Sequence, residues 1–264
     1  LTQGHQYEAV ARSSDSLGDF SQAFATAAFT YDGLPPSAGV IFPADGSTAD
    51  SPPYIRGTAA DSVSSVTSVR LALKRVSDGL WWDGVSWQSA PTELQAGTTA
   101  EWTFSLNSIL RANLSHQASY YATVLAHDSA YPKNEGRFFV HGSTFVYRDV
   151  TAPGAVTDLT ASGGALPGTI RLQWTSPGDD GAAGLFPSGS YAVHRATWPG
   201  AAFSTSSAQV SFSTSGVAAG SAAGWTATGL LPSASYYFAV WARDDAGNWS
   251  AASNVAGAET SQAS

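Results

Sequence analysis

Residues 230–244 decide the fold, and they read Leu-Leu-Pro-Ser-Ala-Ser-Tyr-Tyr-Phe-Ala-Val-Trp-Ala-Arg-Asp. From the first Tyr onward, apolar residues occupy every second position, which is the pattern of a strand with one buried face. The same spacing, a Leu followed six positions later by a Tyr and then by alternating small or apolar residues, also begins at Leu1 and Leu114. The three tyrosines lie 113 and 116 residues apart, at Tyr7, Tyr120 and Tyr236. One β-sandwich has about this length, so we expect a series of them.

Each Tyr stands at the entrance to a strand, where its hydroxyl can bond to backbone a few residues upstream. This arrangement is the tyrosine corner of Greek-key sandwiches. The strands end on aspartates, and two are followed by similar turns, Asp15-Ser-Leu-Gly18 and Asp244-Asp-Ala-Gly247, in which Gly supplies a positive φ. The predicted fold class is therefore all-β, with tandem Greek-key β-sandwiches of which the first is partial.

Proline-containing segments mark the predicted domain ends, because proline cannot donate to a sheet ladder. The predicted domains are residues 1–34, 35–150 and 151–264. The first range holds only the last two strands of a sandwich, and two strands alone are marginally stable in water. We therefore expect this chain to be a fragment of a longer one, or residues 1–32 to be complemented by strands of another polypeptide.

Composition excludes several classes of partner. The chain has 12 Lys and Arg against 20 Asp and Glu, a net charge of −8, and neither Cys nor Met. Nucleic acids and anionic membranes both require clustered positive charge, so neither is an expected partner. No stretch is apolar for long enough to suggest membrane insertion. A polar surface with few charges is typical of an extracellular or cell-surface protein.

Two motifs in the middle domain carry a family resemblance. They are Ile55-Arg-Gly-Thr-Ala-Ala-Asp61, a short strand, and Trp82-Asp-Gly-Val-Ser-Trp87, a hairpin around the strong turn signal Asp-Gly. Over residues 36–150 the chain resembles the Ig-like modules of bacterial surface proteins. The resemblance implies a sandwich and leaves the ligand open.

The last domain, over residues 153–260, resembles fibronectin type III. The stretch Ile170-Arg-Leu-Gln-Trp174 resembles the family's second strand with its core Trp, and Tyr191-Ala-Val-His-Arg195 resembles the third. The resemblance places the first strand at Val156–Leu159 and the last at Ala252–Thr260. A long insertion, residues 198–224, is predicted to contain a strand where apolar residues alternate with Ser. Fibronectin-type domains serve both as spacers and as binding modules.

No catalytic motif occurs in the sequence. Nucleophile elbows, zinc-protease helices, phosphate-binding loops and dinucleotide fingerprints are all missing, and without Cys there is no thiol nucleophile. We expect no catalytic residue and no organic cofactor. The predicted function is a structural spacer or display segment of a larger secreted or cell-surface bacterial protein. The alternative is an adhesive or carbohydrate-binding accessory module, possibly attached to an enzyme elsewhere in the full chain. The expected partners are other domains of that chain, or a surface glycan or protein.

Two acidic loops form the first candidate site. One follows the second strand of the last domain and the other follows the sixth, and such loops emerge at the same end of a fibronectin-type sandwich. Calcium prefers about six to eight oxygen ligands from loops of this kind. The competing interpretation is that Asp and Gly are simply common in turns. The candidate calcium ligands are Asp179, Asp180, Asp244, Asp245 and Asn248.

Three tryptophans of the middle hairpin form the second candidate site. Exposed aromatic rings can stack on sugar rings. The alternative is that these residues close the sandwich core or the seam between domains. The candidate sugar-stacking residues are Trp81, Trp82 and Trp87.

Overall fold

The structure is a computed structural model that describes residues 1–186, 188–214 and 217–262. It has two compact units, Leu1–Leu106 with Ser119–Val146, and Asn107–Ala118 with Tyr147–Ser264. In the described part of the chain, the helical elements are one turn of α-helix (α1, Ser108–Arg111) and one 3₁₀ turn (Thr205–Ser207). Within these same residues, no helix has the length and apolar character needed to cross a membrane. The all-β prediction is confirmed.

The chain opens with a two-stranded antiparallel hairpin of β1 (Gln6–Ala11) and β2 (Ala25–Thr30). Its register pairs Tyr7 with Phe29, and the two rings stack with centroids 5.8 Å apart. The middle sandwich repeats this pairing, since Tyr120 lies opposite Phe145 with the ring centroids 6.0 Å apart. The hairpin is therefore built like the last two strands of a sandwich.

The middle sandwich packs a three-stranded sheet, ordered β10-β5-β3, with a larger one, ordered β4-β12-β11-β6-β7-β8 with β9 added beside β6. Apolar side chains of both sheets are buried, among them Ile55, Leu71, Trp102 and Val124. The strands are β3 (Ser37–Phe42), β4 (Ser47–Asp50), β5 (Tyr54–Ala60), β6 (Val66–Arg75), β7 (Trp81–Trp82), β8 (Trp87–Gln88), β9 (Leu94–Gly97), β10 (Glu101–Ser105), β11 (Ser119–Asp128) and β12 (Gly142–Arg148).

The last sandwich packs a three-stranded sheet, β13-β14-β19, with a four-stranded sheet, β17-β16-β20-β21, and carries a small β15-β18 ribbon. Trp174 is at the centre of its core, with its ring centroid 5.0 Å from that of Tyr191. The insertion contains β17, as its alternation predicted. The strands are β13 (Thr160–Gly163), β14 (Ile170–Thr175), β15 (Leu185–Phe186), β16 (Ser190–Ala196), β17 (Val210–Ser213), β18 (Val217–Ala218), β19 (Ala222–Ala227), β20 (Ser235–Arg243) and β21 (Ala256–Glu259).

All three tyrosine corners have a residue with a positive φ at the same position. The residue three positions before each Tyr has a positive φ, at Gly4 (75°), Gln117 (62°) and Ser233 (52°). This left-handed residue turns the chain sharply into the strand. The Tyr7 hydroxyl accepts a hydrogen bond from the N–H of Thr2 (2.7 Å), and the Tyr236 hydroxyl accepts one from the N–H of Leu231 (3.0 Å). In both cases the Tyr ring anchors the backbone five residues upstream.

The first strand of the final sandwich starts later than predicted, and the last strand is shorter than predicted. The Val156–Leu159 stretch precedes β13 and is not part of the ladder, although both end residues are buried in the core. Side chains replace the ladder there, because Asn254 accepts from the N–H of Leu159 (2.9 Å) and donates to its carbonyl (2.8 Å). Similarly, the hydroxyl of Ser253 accepts from the N–H of Val240, so the last strand starts only at β21.

Trp174→Ala should destabilise the last unit by about 3–5 kcal/mol, because it removes a large buried side chain from the centre of the core. Urea unfolding followed by near-UV circular dichroism measures the change. Trp198→Ala is the matched control, since Trp198 is 57% exposed in the same unit. An unchanged unfolding midpoint for Trp174→Ala would contradict the position of this residue in the core.

Candidate functional site

Three segments of the last unit bring aspartates together. Asp149 follows β12, Asp179 lies in the loop after β14, and Asp245 lies in the loop after β20. One carboxylate oxygen from each of them lies within 4.8 Å of the others. We call these three residues, with Asp180 and Asp244, the acidic cluster.

Backbone hydrogen bonds fasten the loop after β14 to the segment that follows Asp149. The N–H of Gly181 donates to the carbonyl of Ala152 (3.1 Å), and the N–H of Gly154 donates to the carbonyl of Gly181 (2.7 Å). The loop also closes on itself, with the N–H of Asp180 bonded to the carbonyl of Ala183. The carboxylates of this loop are therefore held by backbone contacts that do not involve the carboxylates themselves.

The loop after β20 is held by Asn248. Its N–H and its side-chain amide donate to the two carboxylate oxygens of Asp244, at 2.7 and 2.9 Å, and the amide also reaches the backbone carbonyl of Asp149 at 3.4 Å. Asn248 thus uses its donors on Asp244, and it connects two of the three segments. Asp245, the next residue, carries the carboxylate that meets Asp149 and Asp179.

Burial and mutual repulsion disfavour charge in this cluster. Loss of solvation, reinforced by the charges of Asp245 and Asp244, raises the pKa of Asp179 to about 7. Loss of solvation and the charge of Asp149 raise the pKa of Asp180 to about 6, although Arg111 opposes this change. Burial also raises the pKa of Asp244, and the hydrogen bonds from Asn248 offset part of that rise.

Unpaired atoms line a small cavity at this site. The cavity measures about 120 Å³ and is bordered by α1 and by the loop after β14, with Arg111, Asp179 and Asp180 in its wall. The Oδ1 atoms of both aspartates and the Nε of Arg111 are buried without a hydrogen-bond partner. A buried oxygen without a donor is costly, so these carboxylates would gain from a cation or a proton.

The sequence prediction of the calcium ligands corresponds to this geometry in part. Asp179 and Asp245 meet as the loop argument expected, and Asp180 and Asp244 border them. Asn248 belongs to the same loop, where its amide donors hold Asp244. Asp149 was missed. Its signal was present, because an aspartate follows the last strand of the preceding sandwich at both Asp32 and Asp149.

The first unit contains a second cluster with the same origin. Asp32 follows β2, Asp61 follows β5 and Asp128 ends β11, and one carboxylate oxygen of each lies within 4.8 Å of the others. Asn134 makes the same contacts here as Asn248 makes in the last unit. Its N–H and its side-chain amide donate to the carboxylate of Asp128, and the amide also donates to the backbone carbonyl of Asp32. Here hydrogen bonds, first among them one with Ser64, lower the pKa of Asp32.

The three tryptophans are not an exposed stacking surface, and this prediction needs correction. Trp81 is 7% exposed and Trp82 only 1%, because the β7-β8 hairpin folds onto β6 and buries both rings. Trp87 is half-buried, with the Tyr120 ring stacked at 5.7 Å and the Arg75 guanidinium 4.7 Å from its centroid. The alternative interpretation, that these residues close the core, describes Trp81 and Trp82.

Two histidines of the last unit accept hydrogen bonds from the backbone of loops. In the last unit, the N–H of Asp149 donates to Nδ1 of His116, and the N–H of Ser204 donates to Nδ1 of His194. His194 is 9% exposed, and its ring centroid lies 5.1 Å from that of Phe203. His127 contacts Glu135 at 3.2 Å on the surface.

An exposed aromatic loop joins β11 to β12 in the middle sandwich. Three of its apolar side chains face solvent: Tyr131 is fully exposed, Phe139 is 58% exposed and Val140 is 61% exposed. A surface group of this kind marks possible contact sites for proteins or other apolar ligands. The sequence predictions did not single out this loop.

The comparisons with known proteins found similarity to solved structures. Neither a protein-family model nor a curated protein matches the chain. Among solved structures, the FN1–FN3 domains of chicken CNTN1 are 16% identical over 99% of this chain and 80% of that one (TM-score 0.32). A two-domain fibronectin type III segment of chicken tenascin is 12% identical over 83% of this chain and 95% of that one (TM-score 0.39). An Fn3-like protein from Clostridium thermocellum is 24% identical over 43% of this chain and 99% of that one (TM-score 0.30). The described residues form tandem antiparallel β-sandwiches, preceded by the β1-β2 hairpin.

Without metal ions, the last unit should lose stability as the pH rises from about 4 to about 7. Folded Asp179 keeps its proton up to about pH 7, whereas the unfolded chain releases it near pH 4, so a rising pH favours unfolding across this window. The expected loss is on the order of 1–2 kcal/mol, because the partly solvated cluster is screened. Urea unfolding in a chelator at pH 5 and pH 8 measures the change.

Asp179→Asn should remove much of this dependence and stabilise the unit at pH 8. Glu259→Gln removes a charge from an exposed position of the same unit and should leave the dependence intact. Equal pH profiles for the parent and Asp179→Asn would show that the cluster is not under electrostatic strain.

Proposed function

We propose that this chain is a structural spacer or display segment of a larger secreted or cell-surface bacterial protein and carries no catalysis of its own. The observation that supports this most is the repetition of one corner at domain-length intervals, with a complete core behind two of the three copies. Repeated sandwiches of this kind separate and present other parts of a chain. The motif resemblance of the middle domain supports the bacterial, surface-exposed assignment.

The use of polar residues also supports a non-catalytic role. His116 and His194 accept hydrogen bonds from loop backbone, and Asn248 and Asn254 donate to loops. Within residues 1–186, 188–214 and 217–262, the side chains that converge in threes are aspartates. Ser204 contacts His194 through its backbone N–H and not through its hydroxyl. These side chains hold loops in place and are not poised to activate a substrate.

A specific observation keeps an adhesive role as the second candidate. The loop between β11 and β12 presents Tyr131 and Phe139 to solvent, and exposed aromatics are common anchors at protein contacts. Carbohydrate binding through the hairpin loses its support, because Trp81 and Trp82 are buried.

Immobilised chain tested against arrays of surface glycans and matrix proteins separates the two roles. A spacer should give no saturable binding to any of them. An adhesive module should bind at least one saturably, and Tyr131→Ala should weaken that binding about 10-fold or more. Thr92→Ala, which lies in a different loop of the same unit, is the control. Saturable binding that Tyr131→Ala abolishes would replace the spacer role with the adhesive one.

We further propose that the last unit binds calcium at the acidic cluster, which would stiffen that end of the sandwich. The donor set is suitable, because calcium binds carboxylate oxygens at about 2.4 Å, so two ligands of one ion lie at most about 4.8 Å apart. The oxygens of Asp149, Asp179 and Asp245 meet this limit. The buried Oδ1 atoms of Asp179 and Asp180 lack hydrogen-bond donors, and a cation would relieve the repulsion within the cluster.

Calorimetry of the full chain with and without millimolar calcium tests this site. Calcium should raise the unfolding temperature of the last unit on the order of 5 °C at ten times the dissociation constant. Asp149→Asn and Asp245→Asn should each remove the shift, whereas Glu259→Gln should keep it.

The first unit provides the internal control. Asp61→Asn removes a carboxylate from the second cluster and should leave the calcium shift of the last unit unchanged. A shift that disappears in Asp61→Asn but persists in Asp245→Asn would place the ion in the wrong unit for this proposal. No heat of binding and no shift at millimolar calcium would end it.

A further inference from the structure

The strand β19 of the last sandwich has one unpaired edge. In the described part of the chain, β19 pairs with β14 alone. Backbone groups alternate between the two sides of an antiparallel strand. The N–H of Ser176 donates to the carbonyl of Ser221, so the odd-numbered residues of β19 face β14. Ala222, Gly224 and Thr226 therefore direct their N–H and C=O groups away from the sheet, and all three residues are exposed.

This edge lacks the features that usually keep an outer strand from pairing. Natural sheets protect their edges with charged side chains, proline or bulges. Two other outer strands of the molecule have such protection, because β10 begins at the exposed Glu101 and β21 ends at the exposed Glu259. β19 reads Ala-Ala-Gly-Trp-Thr-Ala, and its register with β14 contains no shift. Its edge is therefore able to accept another strand.

The charge distribution favours a second copy of this chain as the source of that strand. Residues 196–242 contain no Asp, Glu, Lys or Arg, so the 12 basic and 20 acidic residues all lie outside this range. Two copies that each carry a net charge of −8 repel one another over most of their surfaces. Because β19 lies inside the uncharged range, contact between two β19 strands brings no like charges of these strands together.

The strand is also complementary to itself. A two-fold axis at Gly224 places Ala222 of one copy opposite Thr226 of the other, and these are the residues whose backbone groups point outward. The resulting ladder has about six hydrogen bonds. On the other face of the strand, Trp225 of each copy lies opposite Ala223 of its partner, so a large side chain meets a small one at both places.

Trp225 gains an apolar neighbour from this pairing. Its side chain is half-buried, and its ring stacks on the Phe212 ring of β17 with the centroids 6.3 Å apart. Ala227, two residues further along the same face, is already fully buried. Side chains directly opposite each other in an antiparallel pair have Cβ atoms about 5 Å apart, which is close enough for contact. The pairing therefore adds apolar contact to the backbone hydrogen bonds.

We propose that β19 pairs with β19 of a second copy, antiparallel and centred on Gly224, so that the two three-stranded sheets become one continuous sheet. This inference goes beyond the spacer role, because it joins separate chains side by side. It does not depend on calcium binding. A single short strand gives a small interface, so the dimer is transient, with a dissociation constant on the order of 10 μM to 1 mM.

Sedimentation velocity of the full chain over a concentration series up to about 1 mM measures this association. The parent should convert reversibly from monomer to dimer as the concentration rises. Thr226→Pro removes an edge N–H from each copy and leaves the ladder with β14 intact, because proline is tolerated where the N–H points outward. It should weaken dimerisation at least ~10-fold.

Ser211→Pro is the matched control. Ser211 lies on β17, the outer strand of the other sheet, and the register of β17 also directs its N–H outward. This variant should dimerise like the parent. Far-UV circular dichroism and the unfolding midpoint of both proline variants verify that each remains folded.

Cysteine pairing checks the register. The chain has no Cys, so an introduced cysteine is the only thiol. Opposed residues of this ladder have Cα atoms about 5.5 Å apart, within the range of a disulfide. A mixture of Ala222→Cys and Thr226→Cys chains should therefore form a cross-linked heterodimer under mild oxidation. Either variant alone should form little, because identical positions lie about 13 Å apart.

Reversible dimers that Thr226→Pro weakens, together with cross-linking in the mixture, support the proposal. A parent that stays monomeric to about 1 mM, or a dimer that Thr226→Pro leaves intact, would overturn it. Cross-linking in the single variants in preference to the mixture would also overturn it, because the register would then be different. Open-ended aggregates in place of dimers would do the same, since a two-fold contact uses each β19 edge once.

Discussion

Each strand that follows a tyrosine corner presents an apolar face that is stable in water only when a second sheet covers it. This requirement organises the molecule. Behind Tyr120 and Tyr236 the second sheet is present, and large buried residues such as Trp102 and Trp174 come from it. Behind Tyr7 the hairpin has the same corner, the same ring pairing and the same alternation, but its apolar face remains exposed. The corner geometry is thus the same at Tyr7 and Tyr236, whereas a covering sheet is described only behind Tyr120 and Tyr236.

Much of the fold was predictable because its decisive signals are local. The Leu-to-Tyr spacing and the period of two act within about 15 residues, and they predicted the corners, the strands that follow them and the all-β class. The strand ends were less predictable. The ladder starts late at β13 because the side chain of Asn254, 95 residues away, replaces it around Leu159. No local pattern around Leu159 indicates that contact.

The candidate site was predicted to the extent that it follows from topology. Loops after the second and sixth strands share one end of a sandwich, which was enough to bring Asp179 and Asp245 together. Asp149 lies in a connection between domains, where strand topology makes no prediction. The tryptophans were misplaced for a different reason. A two-residue strand such as β7 is too short to show an alternation of apolar and polar residues, so its sequence does not indicate which side chains are buried. The burial of Trp81 and Trp82 depends instead on how the hairpin packs against β6.

The two acidic clusters show that one scaffold can distribute negative charge in two ways. Both combine an aspartate that follows the last strand of the preceding sandwich, one from the loop after β5 or β14, and one at the end of β11 or in the loop after β20. In each cluster an asparagine, Asn134 or Asn248, bridges two of these segments. In the first unit, Asp61 accepts from the N–H groups of Val63 and Ser64, and Gln3 donates to Asp32, whose pKa is lowered. Donors therefore already stabilise the charged forms there, although Oδ2 of Asp32 has no partner.

In the last unit, Asp149 accepts a hydrogen bond from the N–H of Thr151 and Asp244 accepts two from Asn248, so the carboxylates that remain incompletely paired are those of the loop after β14. Asp179 and Asp180 each have a buried oxygen without a partner, and the pKa of each is raised. A proton can relieve this strain only below neutral pH, whereas a divalent cation can relieve it at any pH at which the carboxylates are charged. Of the two clusters, the last therefore has more to gain from calcium, because Asp179 and Asp180 each bury a carboxylate oxygen without a compensating hydrogen bond.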